Sequence, residues 1–139
     1  MDFFTALRIS GSGLSVERAR VNLASSNLAN AEVTRTAAGG PYKRLDPVLE
    51  SVPFDDYLSA ADGPAGVRVS KVVADQTQGR RVYSPGHPDA DPEGFVTFPN
   101  VNPIHEVVNL MSASRGYEAN ATAVETVKGM ANRALDISR

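Results

Sequence analysis

All nine prolines of this 139-residue chain fall between Pro41 and Pro103. That placement constrains the fold more than any other feature. Proline removes a backbone donor and clashes with the preceding helical turn, so the middle of the chain cannot hold a long helix, whereas the two proline-free ends can. The chain divides into an N-terminal helical part (1–33), an irregular and β-rich segment (34–100) and a C-terminal helical part (101–139). The expected fold class is mainly α with a small β-rich insert.

In the first part Leu7, Leu14, Val21 and Leu28 recur every seven residues, and Phe3, Phe4, Ile9, Val16, Leu23 and Ala24 widen the stripe into a packing face. Gly11 and Gly13 each cost roughly 1 kcal/mol relative to alanine, which predicts a firmer helix from about Leu14 to Ala31. The last part opens with Asn102-Pro103, a capping residue followed by proline at the first helical position. From there Val107, Leu110, Ser114, Tyr117, Ala121, Val124, Lys128, Ala131 and Leu135 step by three and four, with Ile104, Val108 and Met111 broadening the start. A helix of about 35 residues would be on the order of 50 Å long. A middle segment of about 60 residues cannot bury all of it, so much of its apolar face must meet another helix or another chain.

Within the middle, residues 66–74 alternate like a half-buried strand, and Arg81-Val82-Tyr83 and Phe95-Val96-Thr97-Phe98 could pair with it. Residues 34–65 read as largely irregular.

Composition closes off several functions. The formal net charge is −2, with 14 basic and 16 acidic residues spread along the chain, so there is no footprint for a nucleic-acid backbone. Aromatics are only 6% and Trp is absent, which favours close helix packing around a thin core. The absence of cysteine excludes disulfides and thiol chemistry. No apolar run has the length of a cleaved signal or of a membrane span, so direct membrane insertion is not expected, and export would need another route.

Candidate chemistry fails on inspection. Asp89-Ala90-Asp91-Pro92-Glu93-Gly94 has the alternating carboxylates of a calcium loop, but the twelfth position is Asn100 instead of glutamate and Pro92 stiffens the turn. A solvated turn is the better reading, and a hydrolase built on that loop lacks ligands. His87 and His105 have no metal-ligand spacing. Gly11-Ser12-Gly13 is neither a nucleophile elbow nor a dinucleotide loop. No catalytic residue, cofactor, metal or small-molecule substrate is expected.

The segment Asn22-Leu23-Ala24-Ser25-Ser26-Asn27-Leu28-Ala29-Asn30-Ala31 is different, because three asparagines near the end of an apolar helix need a reason. Asn27 and Asn30 either fray and cap the helix end, or their amides satisfy polar groups across a helix interface and fix its register.

That segment, preceded by Ser10-Gly11-Ser12-Gly13-Leu14-Ser15 and Arg20-Val21, resembles the N-terminal motif of bacterial flagellar rod and hook proteins. Phe98-Pro99-Asn100-Val101-Asn102-Pro103, Ala113-Ser114-Arg115-Gly116-Tyr117-Glu118-Ala119-Asn120 and Ala134-Leu135-Asp136-Ile137 resemble the C-terminal motif of the same group. Thr34-Arg35-Thr36, Gly39-Gly40-Pro41-Tyr42-Lys43-Arg44 and the short middle look most like its proximal rod members. The one departure is Gly116, where relatives tend to carry alanine, at a cost of about 1 kcal/mol in helix propensity.

The resemblance implies terminal helices packed as a coiled-coil-like core domain lining a central channel, with the middle as a small outer domain. It implies a structural subunit in the periplasmic rod of the basal body, exported by the flagellar type III apparatus without a cleaved signal. Its partners would be further copies, other rod proteins and adaptors on the MS-ring and export-gate side. The assembly interface would use Leu7, Leu14, Val21, Asn22, Asn27, Leu28 and Asn30 from the first helix. From the second it would use Val107, Leu110, Met111, Tyr117, Ala121, Val124, Ala131 and Leu135. The competing reading is another exported helical subunit of needle, tip or adhesin type.

Overall fold

The computed structural model describes residues 3–53 and 65–137. Along the chain run α1 (Phe3–Ala29), β1 (Leu45–Pro53), β2 (Ala65–Ala74), β3 (Arg81–Tyr83), β4 (Phe95–Thr97) and α2 (Pro103–Ile137). The helices form the body. Asn27 meets Glu106, Glu17 lies against Gly116, and Gly13 lies against Asn120, so α1 and α2 are antiparallel.

Their contact is close because small residues line it. A Cβ added to Gly13 would stand 2.8 Å from Oδ1 of Asn120, and one added to Gly116 would stand 2.8 Å from Cδ of Glu17. Val16 and Ala24 of α1 and Ala113 of α2 are buried apolar side chains. Of the two glycines expected to weaken α1, Gly13 admits the partner helix while Gly11 faces open space, and α1 is continuous from Phe3 through the half expected to be less firm. Helix α2 is 35 residues long, as its periodicity predicts. Oδ1 of Asn102 accepts hydrogen bonds from the backbone N–H of Ile104 (3.0 Å) and His105 (3.4 Å), which caps it. Among the described residues no helix is long and apolar enough to cross a membrane.

The middle departs from expectation twice. Residues 45–53 form a nine-residue strand where an irregular segment was expected; residues 54–64 of that segment lie outside the described residues. Strand β1 pairs antiparallel with β2 from Leu45↔Ala74 to Pro53↔Ala65, with a bulge between Val48 and Leu49. Pro47 and Pro53 hid the strand, yet both are tolerable on a ribbon with an unpaired outer edge. The second departure is that β3 and β4 pair with each other, Val82 opposite Val96, and not with β2. The β1–β2 ribbon lies along α1 and is tied there at two places. At one end Asn27 holds Leu45, and at the other the N–H of Val67 donates to Oγ of Ser12 at 3.1 Å.

Candidate assembly surface and the clasp beneath it

Where the end of α1, the entry to β1 and the start of α2 converge, polar side chains take the place of a hydrophobic plug. Asn27 and Glu106 are each only 1% exposed. Nδ2 of Asn27 donates to the carbonyl of Leu45 at 2.9 Å and to Oε2 of Glu106 at 3.1 Å. Its Oδ1 accepts from the N–H of Leu45 at 2.9 Å and from the hydroxyl of Tyr42 at 2.9 Å. Oε1 of Glu106 accepts from Nε of Arg44 at 2.7 Å, and Nη1 of Arg44 also pairs with Asp46.

A buried carboxylate is tolerable only when a cation and donors surround it, and here Arg44 and two asparagine amides do so, Asn109 adding the second. Burial alone pulls the Arg44 guanidinium down. The hydrogen bond and charge of Glu106, with the charge of Asp46, outweigh burial and hold the group above its ordinary value.

The loop before β1 delivers Tyr42 and Arg44. Gly39 (φ 86°) and Gly40 (φ 73°) take left-handed conformations, Gly39 N–H donates to Thr36 and Thr36 N–H to Gly40, and Tyr42 N–H closes the loop on the carbonyl of Val33 at 3.0 Å. Arg44, Asp75, Asn100, Asn102 and His105 border an open groove of about 540 Å³ beside the clasp. Of the side chains that border it, those of Asp75, Asn100 and Asn102 have partners within the chain.

The proposed interface residues divide by exposure. Leu7, Leu14, Val21 and Leu28 are half-buried, Asn22 is exposed, and Asn30 bonds back to the Ser26 carbonyl at 2.8 Å as a helix-end residue does. On α2, Leu110, Ala121, Val124 and Ala131 are half-buried, while Val107, Met111, Tyr117 and Leu135 are exposed. The side of α2 that meets α1 carries Glu106, Ala113, Gly116 and Asn120, so the predicted apolar stripe flanks the helix contact instead of filling it. Ile104, Val107, Val108 and Met111 are exposed by 43–74% in the first three turns. At about 100° per residue their mean direction lies roughly opposite Glu106 and Ala113. Four large apolar side chains thus stand in water at the start of the longest element, the kind of exposed patch that makes this face a candidate interaction surface.

The carboxylates of the 89–94 turn are engaged within the chain. Asp89 pairs with Nε of Arg35 at 2.8 Å and accepts from Thr34, while Asp91 pairs with Arg81 and accepts the backbone N–H groups of Glu93 and Phe95. Among the described residues no group of three or more metal-ligating side chains comes together.

Sequence reasoning missed Tyr42, Arg44 and Glu106. Glu106 offered one signal, an acid set between the apolar residues Ile104 and Val107 in a first helical turn, but that position is also what the helix dipole favours on an exposed surface.

Both ends of the chain match known protein families. Residues 7–35 match the family model described as flagella basal body rod protein, and residues 93–137 match the one described as flagellar basal body rod FlgEFG protein C-terminal. The flagellar basal-body rod protein FlgC of Bacillus subtilis is 41% identical over 100% of both chains. That of Borreliella burgdorferi is 37% identical over 99% of this chain and 98% of its own, and that of Salmonella typhimurium is 41% identical over 94% of each. With paired helices, a clasped β ribbon and end-to-end similarity to these relatives, the chain belongs to the FlgC family of flagellar basal-body rod proteins.

Proposed function

We propose that this protein is a non-enzymatic subunit of the proximal flagellar rod that polymerises through its terminal helices, lines the export channel and transmits torque. The observation that carries the reading is the exposed apolar row at the start of α2, which a lone subunit leaves in water, on a chain whose relatives are rod proteins. Torque transmission asks for many small contacts and no turnover. Faces that combine half-buried Leu14, Val21, Leu110 and Val124 with exposed Met111 and Tyr117 supply such contacts on both helices.

In the assembly the helix pairs pack side by side as a coiled-coil-like core, with residues 34–100 as an outer domain. The partners are further copies, neighbouring rod proteins and adaptors on the MS-ring side. The chain reaches the periplasmic rod through the flagellar type III apparatus without signal cleavage.

The test is recovery of the chain from purified basal bodies. It should co-purify with the rod with its N-terminus intact, and a deletion should abolish motility until the gene is restored. Motile cells lacking the chain, or a chain found only outside the rod, would refute the reading.

A further inference from the structure

We propose that Asn27 is the positioning residue that registers the β1–β2 ribbon along α1, and so decides which sides of the helix pair stay open to neighbours. The first clause stands on the chain alone, and the second rests on the assembly reading above.

An asparagine amide has two donor hydrogens and two acceptor lone pairs, and Asn27 uses all four. Two of the four bonds go to the N–H and C=O of one residue, Leu45, as a partner strand would bind it. Leu45 opens β1, so the amide acts on the outer edge of the ribbon at its first residue. One residue earlier, just before β1, the Arg44 carbonyl turns the other way and accepts from the N–H of Asp75 at 2.8 Å.

That alternation makes the register single-valued. A slip of one residue would offer Asn27 the backbone of Asp46, which faces β2. A slip of two would offer Pro47, which has no N–H to donate. Either slip also carries Arg44 away from Glu106 and Tyr42 away from Oδ1 of Asn27. The far tie, Val67 to Ser12, is a single bond to a rotatable hydroxyl that is itself donating to the Ile9 carbonyl at 2.7 Å, and it cannot choose a register by itself. Being 1% exposed, Asn27 acts on neighbours only through where it puts the ribbon.

The test measures ribbon position in the free full-length chain. No native cysteine interferes, so spin labels on Ser15→Cys in α1 and Ser70→Cys in β2, both exposed, report one α1-to-ribbon distance. A narrow distribution is expected. Asn27→Asp keeps the size but turns a carboxylate oxygen toward the Leu45 carbonyl and Glu106, so the distribution should broaden or shift while helix content by circular dichroism is kept. Adding Glu106→Gln, which restores a donor at that position, should narrow it again. Asn27→Ala, which favours helix, should broaden it without loss of helix.

A narrow, unmoved distance in Asn27→Asp, whatever its stability, overturns the proposal. So does a broad distance in the unsubstituted chain, because the clasp then fails to hold the ribbon. Loss of helix in both Asn27 variants would assign the residue to fold stability alone and overturn it as well. The measurement needs no rods, so its failure is distinct from failure of the assembly reading.

Discussion

Replacing Arg44 with methionine would remove the one cation that, among the described residues, pairs with Glu106, while keeping most of the aliphatic stem. The Glu106 carboxylate would stay 1% exposed, held by the amides of Asn27 and Asn109 alone. Removing one partner of a buried pair costs about 3–5 kcal/mol, and the quarter exposure of the Arg44 side chain, which lets water reach the site, places the expectation near 3 kcal/mol. For a chain of this size that corresponds to a fall of about 10 °C in melting temperature. Glu106→Gln alone should cost less, about 1–2 kcal/mol, since an amide still accepts from Arg44, which stays partly exposed and paired with Asp46. The double variant Arg44→Met/Glu106→Gln should be more stable than Arg44→Met, with a coupling energy of about 2 kcal/mol. Urea unfolding of the four proteins, followed at a helix wavelength, reads this cycle directly. If Arg44→Met costs under about 1 kcal/mol, or Glu106→Gln fails to rescue it, the clasp is not the electrostatic unit described here.

Three further outcomes are expected. Val124→Asp should abolish incorporation into rods while Glu125→Ala is tolerated; Val108→Asp, at an exposed site, should impair incorporation without lowering the stability of the free chain, and secretion assays must first show that each variant is exported. Amide exchange in the free chain should be slow around Asn27, Leu45 and Ala113 and fast toward Phe3 and Leu135, where isolated helix is marginal; uniformly slow exchange from Val107 to Leu135 would contradict this. Hydrogen bonding from the Phe95 N–H, aided by Arg81, holds the Asp91 carboxyl below its ordinary value, and Thr77 does the same for Asp75. Folded values below unfolded ones mean that their stabilisation is present above about pH 4 and is lost as pH falls through the folded values, so an Asp91→Asn/Asp75→Asn variant should show a shallower acid decline in stability.

Local rules carried much of the fold because their causes are local. Proline geometry confined helix to the two ends, and Asn102-Pro103 marked the start of α2. A period of three to four set its length, and the paired terminal motifs carry the resemblance to the family. Strand β1 escaped because Pro47 and Pro53 argue against a strand unless its outer edge is known to be unpaired, and pairing is not a local property. Hydrophobic periodicity found the apolar direction of α2 but not the side that meets α1. Close approach selects small residues such as Gly13, Ala24, Ala113 and Gly116 for the contact within the chain, and leaves Ile104, Val108 and Met111 exposed. The clasp was least legible of all. Arg44 and Glu106 are 62 residues apart and Asn27 and Glu106 are 79 apart, and nothing in either neighbourhood says that a carboxylate will be buried. The sequence determined which segments could be helix and which could not. Only the tertiary structure decided which polar groups would be desolvated together, because that depends on which distant segments meet.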